Sequence, residues 1–460
     1  MRTRTERRVA ARYRWDRLKV SFWFAPALMA LGAMLLAWSI YWVDSHIPNE
    51  VLENSRFVLA GTASELRTAL LGIAGTVLAT AGVVFTLLTL PLSTVAAQYG
   101  SRLLRLFLGD RTTQLVLGMF VATFVYCIAA ALSIPPAEVE RESPQLTASV
   151  GLYLMLATFA TLILLVQHIS TMLQAPNIAA AAGAELLAVV RAANTADVIR
   201  DDGAMGESAN RPDVQDDLAS LTETVGYPVQ VSNTGYIQFI DPDILLALAR
   251  NKDVVIRLLH KPGCFVGSGA VVALVWPAGR VDAQLDKLLR RAFQIGSGRT
   301  PTQDIEYAVN QLTEMAVRAM SPAINDPFTA MTCLDHMGDG LATFIQQGEN
   351  GSHYFDQDGK LRLILEPVTF VELLGAAFDM LRHASCDNAS VLLHMLKVIE
   401  ALGQVARAPT VHQVLLQHAS LIQAESQAGA LIEADRYAVQ LCSQAVQAKL
   451  EGAMSAANPQ

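Results

Sequence analysis

The sequence predicts an α-helical polytopic membrane domain with four transmembrane helices, followed by a cytoplasmic α+β domain with a small β-module and a helical C-terminal region. Two observations lead to this fold class. The chain of 460 residues is 52% hydrophobic and only 17% charged, whereas a typical soluble domain is about 25% charged. The charge is also unevenly divided: residues 1–167 carry 14 Lys and Arg against 10 Asp and Glu, a net +4, and residues 168–460 carry 20 against 32, a net −12.

Four apolar segments predict the membrane spans, at residues 22–43, 68–90, 112–134 and 146–167. Each is close to the length of about 20 residues that a helix needs to cross the hydrocarbon core. None of them contains Asp, Glu, Lys, Arg or His. The alternative is four buried helices of a large soluble core, but core helices rarely lack charge over such lengths. We therefore assign residues 22–170 to a transmembrane domain.

Basic residues predict the orientation of these spans, because cytoplasmic loops carry an excess of Lys and Arg. The N-terminal segment 1–21 is strongly basic, and the connection between the second and third spans carries Arg102, Arg105 and Arg111. The first and third connections are acidic instead. The expected protein is therefore a multi-pass protein of the bacterial inner membrane, with its N- and C-termini in the cytoplasm.

The second span differs from the others, because small and hydroxyl residues recur along it at steps of three or four. That spacing places them on one stripe of a helix. Such a stripe can pack closely against another helix, or it can face water in an oligomeric pore. Both uses stay open at this point. The stripe consists of Gly72, Gly75, Thr76, Ala79, Gly82, Thr86 and Thr89.

The chain beyond the second span has a distinct character. Pro91 removes one backbone hydrogen bond, so a kink is expected there. Residues 95–108 predict an interfacial amphipathic helix with Arg102 and Arg105 on its polar face; a helix packed on the soluble domain is the alternative. Asp110 is a suitable N-cap for the third span.

The cytoplasmic part divides into three segments by composition and periodicity. Residues 171–225 contain a helix and an acidic linker, and residues 226–280 alternate apolar and polar side chains, which predicts a small β-module. Residues 281–460 have the period of helices. Within them, residues 281–295 and 412–450 are each expected to form one helix.

The most distinctive polar string in the helical region contains Ser321, Pro322, Asn325, Asp326 and Pro327. Grouped in a pocket, its polar side chains could bind a cation or a lipid head group. The alternative is a corner between two helices, in which Asp326 is an N-cap and Pro327 is the first helical residue.

The sequence contains no recognisable set of catalytic residues. Its five cysteines form no CxxC pair, and its nine histidines show no HExxH or other ligand spacing, so we expect no metal site and no cofactor. No nucleophile elbow or P-loop occurs. The protein is therefore expected not to be an enzyme. Its net charge of −8 also argues against nucleic-acid binding.

Several strings together resemble an uncharacterised bacterial family of predicted membrane proteins, called domain of unknown function 2254. They are AGVVFTLLTLPLS, AAQYGSRLLRLFLGDR, LGMFVATFVYC, GYIQFID and RAMSPAINDPFTA. Members of the family more often carry glycine at the position of Ala323. The resemblance implies an integral inner-membrane protein with a cytoplasmic C-terminal domain, and it implies no catalytic residues.

Two functional hypotheses follow. The first is a homo-oligomeric channel or pore-type protein with the second span near the conduit. Because the spans contain no ionisable residue, any transported species is expected to move down its gradient. The second is a non-conducting scaffold or sensor whose cytoplasmic domain binds partners or ligands. The expected partners are the lipid bilayer, other copies of the chain and a cytoplasmic protein.

Overall fold

The computed structural model describes residues 23–46, 58–59, 61–99, 110–134, 144–172, 174–194, 225–348, 353–356 and 358–457. These residues form thirteen α-helices and eight β-strands. The chain divides into two compact units, an N-terminal unit (Met1–Ile178) and a C-terminal unit (Ala179–Gln460).

The N-terminal unit contains four helices that are long and apolar enough to cross a membrane, which confirms the predicted fold class. They are α1 (Phe24–Asp44), α2 (Ala63–Tyr99), α3 (Arg111–Ser133) and α4 (Gln145–Met172). Helix α3 is the central one and packs against the other three. Half of its apolar window is buried, at 50%, against 17% in α1 and 22% in each of α2 and α4.

Helix α2 continues through Pro91 to Tyr99 as one element, so no separate helix begins at residue 95 as the sequence analysis expected. A proline inside a helix removes only one hydrogen bond, and a continuous helix satisfies the other backbone groups. The predicted kink at Pro91 stays a prediction. Residues 100–109, which include Arg102 and Arg105, lie outside the described residues.

The C-terminal unit contains two small sheets, and their strand pairs are antiparallel except for the parallel pair β3–β8. The five-stranded sheet has the order β1-β5-β3-β8-β7, and the three-stranded sheet has the order β4-β2-β6. The strands are β1 (Tyr227–Gln230), β2 (Gly235–Ile240), β3 (Val255–Leu258), β4 (Phe265–Val266), β5 (Val271–Trp276), β6 (Phe293–Gly296), β7 (His353–Phe355) and β8 (Leu361–Ile364).

Three of these strands come from residues beyond 280, where the sequence pattern is helical. The helix expected over residues 281–295 ends earlier, as α7 (Ala283–Arg291), and β6 follows it and pairs with β2. This difference arises because strand pairing depends on partners that are distant in sequence, which outweigh local helical periodicity. Helix α6 (Pro242–Lys252) and α7 cover the sheets, with Leu245, Leu285 and Leu289 fully buried against the strands.

The rest of the C-terminal unit is helical. The helices are α5 (Ala175–Asn194), which crosses the division between the units, α8 (Ile305–Ala319), α9 (Pro327–Gln347), α10 (Phe370–Ala384), α11 (Ala389–Val405), α12 (Pro409–Ala428) and α13 (Glu433–Ala457). Helix α13, the last of these, packs against α11 and α12.

The single helix expected over residues 412–450 is therefore wrong, because the chain breaks between α12 and α13. At the break, a Cβ atom on Gly429 would lie 2.3 Å from the carbonyl oxygen of Cys386. The next amide, of Ala430, donates to the side chain of Asp387 at 2.5 Å. The end of α10 thus fixes the backbone at this point and stops the helix.

Candidate functional site

The seven stripe residues of α2, from Gly72 to Thr89, are all exposed in the protomer, and we call them the outward face of α2. The opposite side of the helix packs into the two apolar clusters of the N-terminal unit. That buried side consists of Leu66, Leu70, Ala74, Val77 and Val84. The structure therefore brings the predicted residues together on one surface, and that surface points away from the core of the protomer.

Glycines on the outward face have no packing role within the protomer. A Cβ atom on Gly72, Gly75 or Gly82 would meet nothing within 4 Å. By contrast, a Cβ atom on Gly118 of α3 would lie 2.4 Å from the sulfur of Met29. Glycine in a helix interior costs about 1 kcal/mol relative to alanine. Packing against the described residues of the protomer therefore does not account for these three glycines.

Threonine hydroxyls on the outward face donate to their own helix. The Thr76 hydroxyl lies 2.9 Å from the carbonyl oxygen of Gly72, and that of Thr86 lies 3.1 Å from the carbonyl oxygen of Gly82. The Thr89 hydroxyl donates to the Thr86 carbonyl at 3.0 Å. Each donor is satisfied, while each hydroxyl oxygen keeps free acceptor capacity. The face therefore offers acceptors to water or a cation, and the exposed side chains of Leu71 and Val83 lie among them.

Asp110 caps α3, which confirms the sequence prediction. Its carboxylate accepts hydrogen bonds from the Thr113 amide at 2.8 Å and the Thr113 hydroxyl at 2.7 Å. A contact that the sequence analysis missed is His168 near the end of α4, with its Nε2 atom 3.0 Å from the same carboxylate. The pair ties the start of α3 to the end of α4. Arg111, the one predicted interfacial arginine among the described residues, is the first residue of α3.

Asp44 at the end of α1 is a second residue whose role the sequence did not reveal. From the sequence it was only one of the acidic residues of the first connection. It is buried, with 4% of its surface exposed. Its carboxylate accepts hydrogen bonds from the Thr147 amide at 2.8 Å and the Thr147 hydroxyl at 2.7 Å, at the start of α4. The two residues lie 103 positions apart in the chain, so no local pattern could have paired them.

Replacing Asp44 with alanine is expected to destabilise the N-terminal unit, because two buried donors of Thr147 lose their acceptor. The expected loss is about 1–3 kcal/mol. Asp44→Asn keeps one acceptor oxygen and should lose less. Thermal unfolding of the detergent-solubilised protein measures both variants, and an Asp44→Ala protein as stable as the unmodified chain would contradict this role.

The string around Asp326 forms the corner between α8 and α9. Asp326 caps α9, with the Thr329 amide 3.1 Å from its carboxylate, and Pro327 is in the first turn, as the corner interpretation predicted. Asn325 has φ +49°, and its amide donates to the carbonyl of Ser321 at 2.9 Å. Pro322 and Asn325 are exposed. Capping accounts for Asp326, while binding of a cation or a head group stays a prediction.

Two cysteines of the C-terminal unit, Cys333 and Cys386, are poorly suited to nucleophilic chemistry. Burial raises the pKa of Cys333 to about 12, and burial, together with the neighbouring Asp387, raises the pKa of Cys386. The thiolate is the reactive form, so both thiols stay protonated at neutral pH. Among the residues that the structure describes, no group of three or more His, Cys, Asp or Glu side chains could hold a metal ion.

A cavity of about 740 Å³ lies in the C-terminal unit, where the ends of α9 and α11 meet the starts of α10 and α12. Its walls combine the aromatic rings of Phe344 and Phe370 with the polar side chains of Gln404, Arg407 and Thr410. Arg407 is exposed. The lining therefore offers both apolar surface and hydrogen-bonding groups. The sequence analysis did not single out any of these residues.

Comparison with known proteins decides the family. The family model described as "Predicted membrane protein (DUF2254)" matches residues 19–401, which include the four apolar helices, both sheets and most of the helical region. The chain belongs to this family. All five strings on which the sequence resemblance depended lie within the matched residues, so the resemblance is confirmed.

The DUF2254 chain is also similar to proteins of two mycobacterial species. Uncharacterized proteins of Mycobacterium bovis and Mycobacterium tuberculosis (strain H37Rv) are each 25% identical to it over 389 residues, which are 83% of this chain and 72% of theirs. No solved structure matches the chain. The family is one of predicted membrane proteins, and its description assigns no activity.

Proposed function

We propose that this DUF2254 protein is a homo-oligomeric channel or pore-type protein, with the outward face of α2 near the conduit. One observation carries the proposal: this face is exposed in the protomer although its glycines have no packing role there. A surface of this kind suits a close neighbour, because small residues let helix backbones approach each other. We assign the protein no catalytic role.

Two properties of the outward face support a conduit over a simple packing seam. Its threonine oxygens have free acceptor capacity, which can replace part of the water around a permeating species. The second span, residues 68–90, holds no charged residue. Carriers that couple transport to protons usually keep ionisable groups at the midplane of the membrane. The proposed flow is therefore passive.

The proposed location is the bacterial inner membrane, with both termini in the cytoplasm. The support is the charge of the connections, since Arg2, Arg4, Arg7 and Arg8 begin a basic N-terminal segment and Glu138 lies in an acidic third connection. With four spans, the C-terminal unit lies on the same side of the membrane as the N-terminus.

Leucine substitutions on the outward face test the conduit. The purified protein in planar bilayers should show discrete currents, and Thr76→Leu and Thr86→Leu should lower the single-channel conductance several-fold, because each adds an apolar side chain to the pathway. Thr112→Leu, at an exposed position of α3, is the matched control and should leave the conductance unchanged. Silent bilayers with a confirmed oligomer would contradict the proposal.

The second candidate is a non-conducting scaffold or sensor, and the cavity with Arg407 favours it. In that case α2 would be a packing seam and the C-terminal unit would bind a cytoplasmic protein or a ligand. This alternative predicts silent bilayers together with a stoichiometric partner that co-purifies with the full chain and is lost in Arg407→Ala. A channel that needs no partner predicts currents that Arg407→Ala leaves intact.

A further inference from the structure

The C-terminal helix α13 presents an apolar stripe that is exposed among the residues that the structure describes. One side of α13 is buried through Val439, Ser443, Val446 and Leu450. On the other side, the exposed positions at helical spacing are Tyr437, Leu441, Ala445, Ala448 and Gly452, which we call the α13 stripe. Tyr437 is 66% exposed and Leu441 is 57% exposed, so the stripe leaves two large apolar side chains in water.

The α13 stripe is graded in size along the helix. Its large residues, Tyr437 and Leu441, lie at the N-terminal end, and its small ones, Ala448 and Gly452, lie at the C-terminal end. A Cβ atom on Gly452 would meet nothing within 4 Å. Glycine there costs about 1 kcal/mol of helix stability relative to alanine, and the packing of the protomer does not require it.

This gradation makes the stripe complementary to a second copy of itself in the antiparallel direction. A two-fold axis between Gln444 and Ala445 places Tyr437 of one protomer opposite Gly452 of its partner, and Leu441 opposite Ala448. In such an isologous contact, each pairing occurs twice. Large side chains then meet small ones towards both ends of the contact, and the two small Ala445 side chains meet at its centre, so the two helices can pack closely.

The size gradation also distinguishes the two possible directions. A parallel pair would place the two Tyr437 side chains next to each other and the two Gly452 positions next to each other, so large residues would meet large ones and small residues would meet small ones. The antiparallel pair avoids both. Arg436 lies outside the stripe, and its side chain donates to the Gly429 carbonyl of its own protomer at 3.1 Å.

We infer that α13 pairs with α13 of a second copy of this chain, as an antiparallel contact with two-fold symmetry centred between Gln444 and Ala445. The contact goes beyond the proposed conduit and does not depend on it. It holds protomers together through their C-terminal units, so a protein with a non-conducting membrane unit could still form it.

Cysteine cross-linking of the full-length protein in detergent tests this contact. In a chain with Cys264, Cys386 and Cys442 replaced by serine, Ala445→Cys should form a covalent dimer on mild oxidation, because the two positions face each other near the axis. Gly452→Cys alone should not, since its two copies lie about 22 Å apart along the helices. Coexpressed Tyr437→Cys and Gly452→Cys chains should form a dimer with each other. The chain without an added cysteine is the control.

A second measurement separates loss of the contact from misfolding. Gly452→Leu raises helix propensity but fills the space for the partner tyrosine, so we expect at least a tenfold weaker dimer with unchanged thermal stability of the protomer. Three outcomes would overturn the inference: a Gly452→Cys dimer, no dimer from Ala445→Cys, or an Ala445→Cys cross-link to another protein. None of them affects the bilayer currents by which the conduit is tested.

Discussion

Replacing Gly151 with leucine is expected to destabilise the N-terminal unit strongly. Gly151 of α4 faces the core, where a Cβ atom would lie 2.6 Å from a methyl carbon of Leu70 and 3.5 Å from the sulfur of Cys127. A leucine there must push α4 away from α2 and α3. Overpacking of this kind costs about 1–3 kcal/mol or more, and a distance below 3 Å puts this site at the upper end.

The matched control is Gly82→Leu, which makes the same change on the outward face of α2. A Cβ atom there meets nothing within 4 Å, so the protomer should keep its thermal unfolding midpoint. Planar bilayers should instead show a lower single-channel conductance, because the leucine adds an apolar side chain to the proposed pathway. Equal losses of stability in both variants would contradict the direction in which α2 faces.

Replacing Asp304 with alanine is expected to cause a large loss of stability in the C-terminal unit. Asp304 is 3% exposed and caps α8 through the amide of Tyr307 at 2.9 Å. Its two oxygens also accept from the Arg299 guanidinium at 2.7 and 2.8 Å, which raises the pKa of Arg299. The turn at Gly263 packs directly on this carboxylate, since a Cβ atom there would lie 2.1 Å from it. Removing one partner of such a pair costs about 3 kcal/mol.

Asp282→Ala is the control for this prediction. Asp282 also caps a helix, with the Leu285 amide 2.7 Å from its carboxylate, but its side chain is 51% exposed. Loss of an exposed cap costs about 1 kcal/mol. Trp276 is the only tryptophan after residue 42, so its fluorescence in urea reports the C-terminal unit once the other tryptophans are phenylalanine. Equal losses in the two variants would show that the Arg299 pair contributes nothing.

The parts of the fold that the sequence predicted depend on local signals. The four apolar helices follow from hydropathy over about 20 residues, and the caps at Asp110 and Asp326 follow from residue types within one turn. The strands β6, β7 and β8 depend on partners far along the chain, such as β8 beside β3. The break between α12 and α13 depends on the end of α10. The local periodicity of the sequence carries no information about these strand pairings or about this helix break.

The sequence predicted which residues form the candidate site, but it did not predict which way they face. Helical spacing alone placed Gly72, Thr76 and Gly82 on one stripe of α2. Which way that stripe faces is decided by the other side of the helix, where Leu70 and Val84 are fully buried. Asp44 escaped the sequence analysis because its partner lies on another helix.

Single-particle imaging of the detergent-solubilised full-length protein tests the central claim most directly, because it gives the stoichiometry, the symmetry and the position of α2 together. Our account predicts a closed homo-oligomer in which Gly72, Thr76 and Gly82 of every protomer face the central axis. A monomer, or an assembly in which these residues face the surrounding detergent, would contradict it.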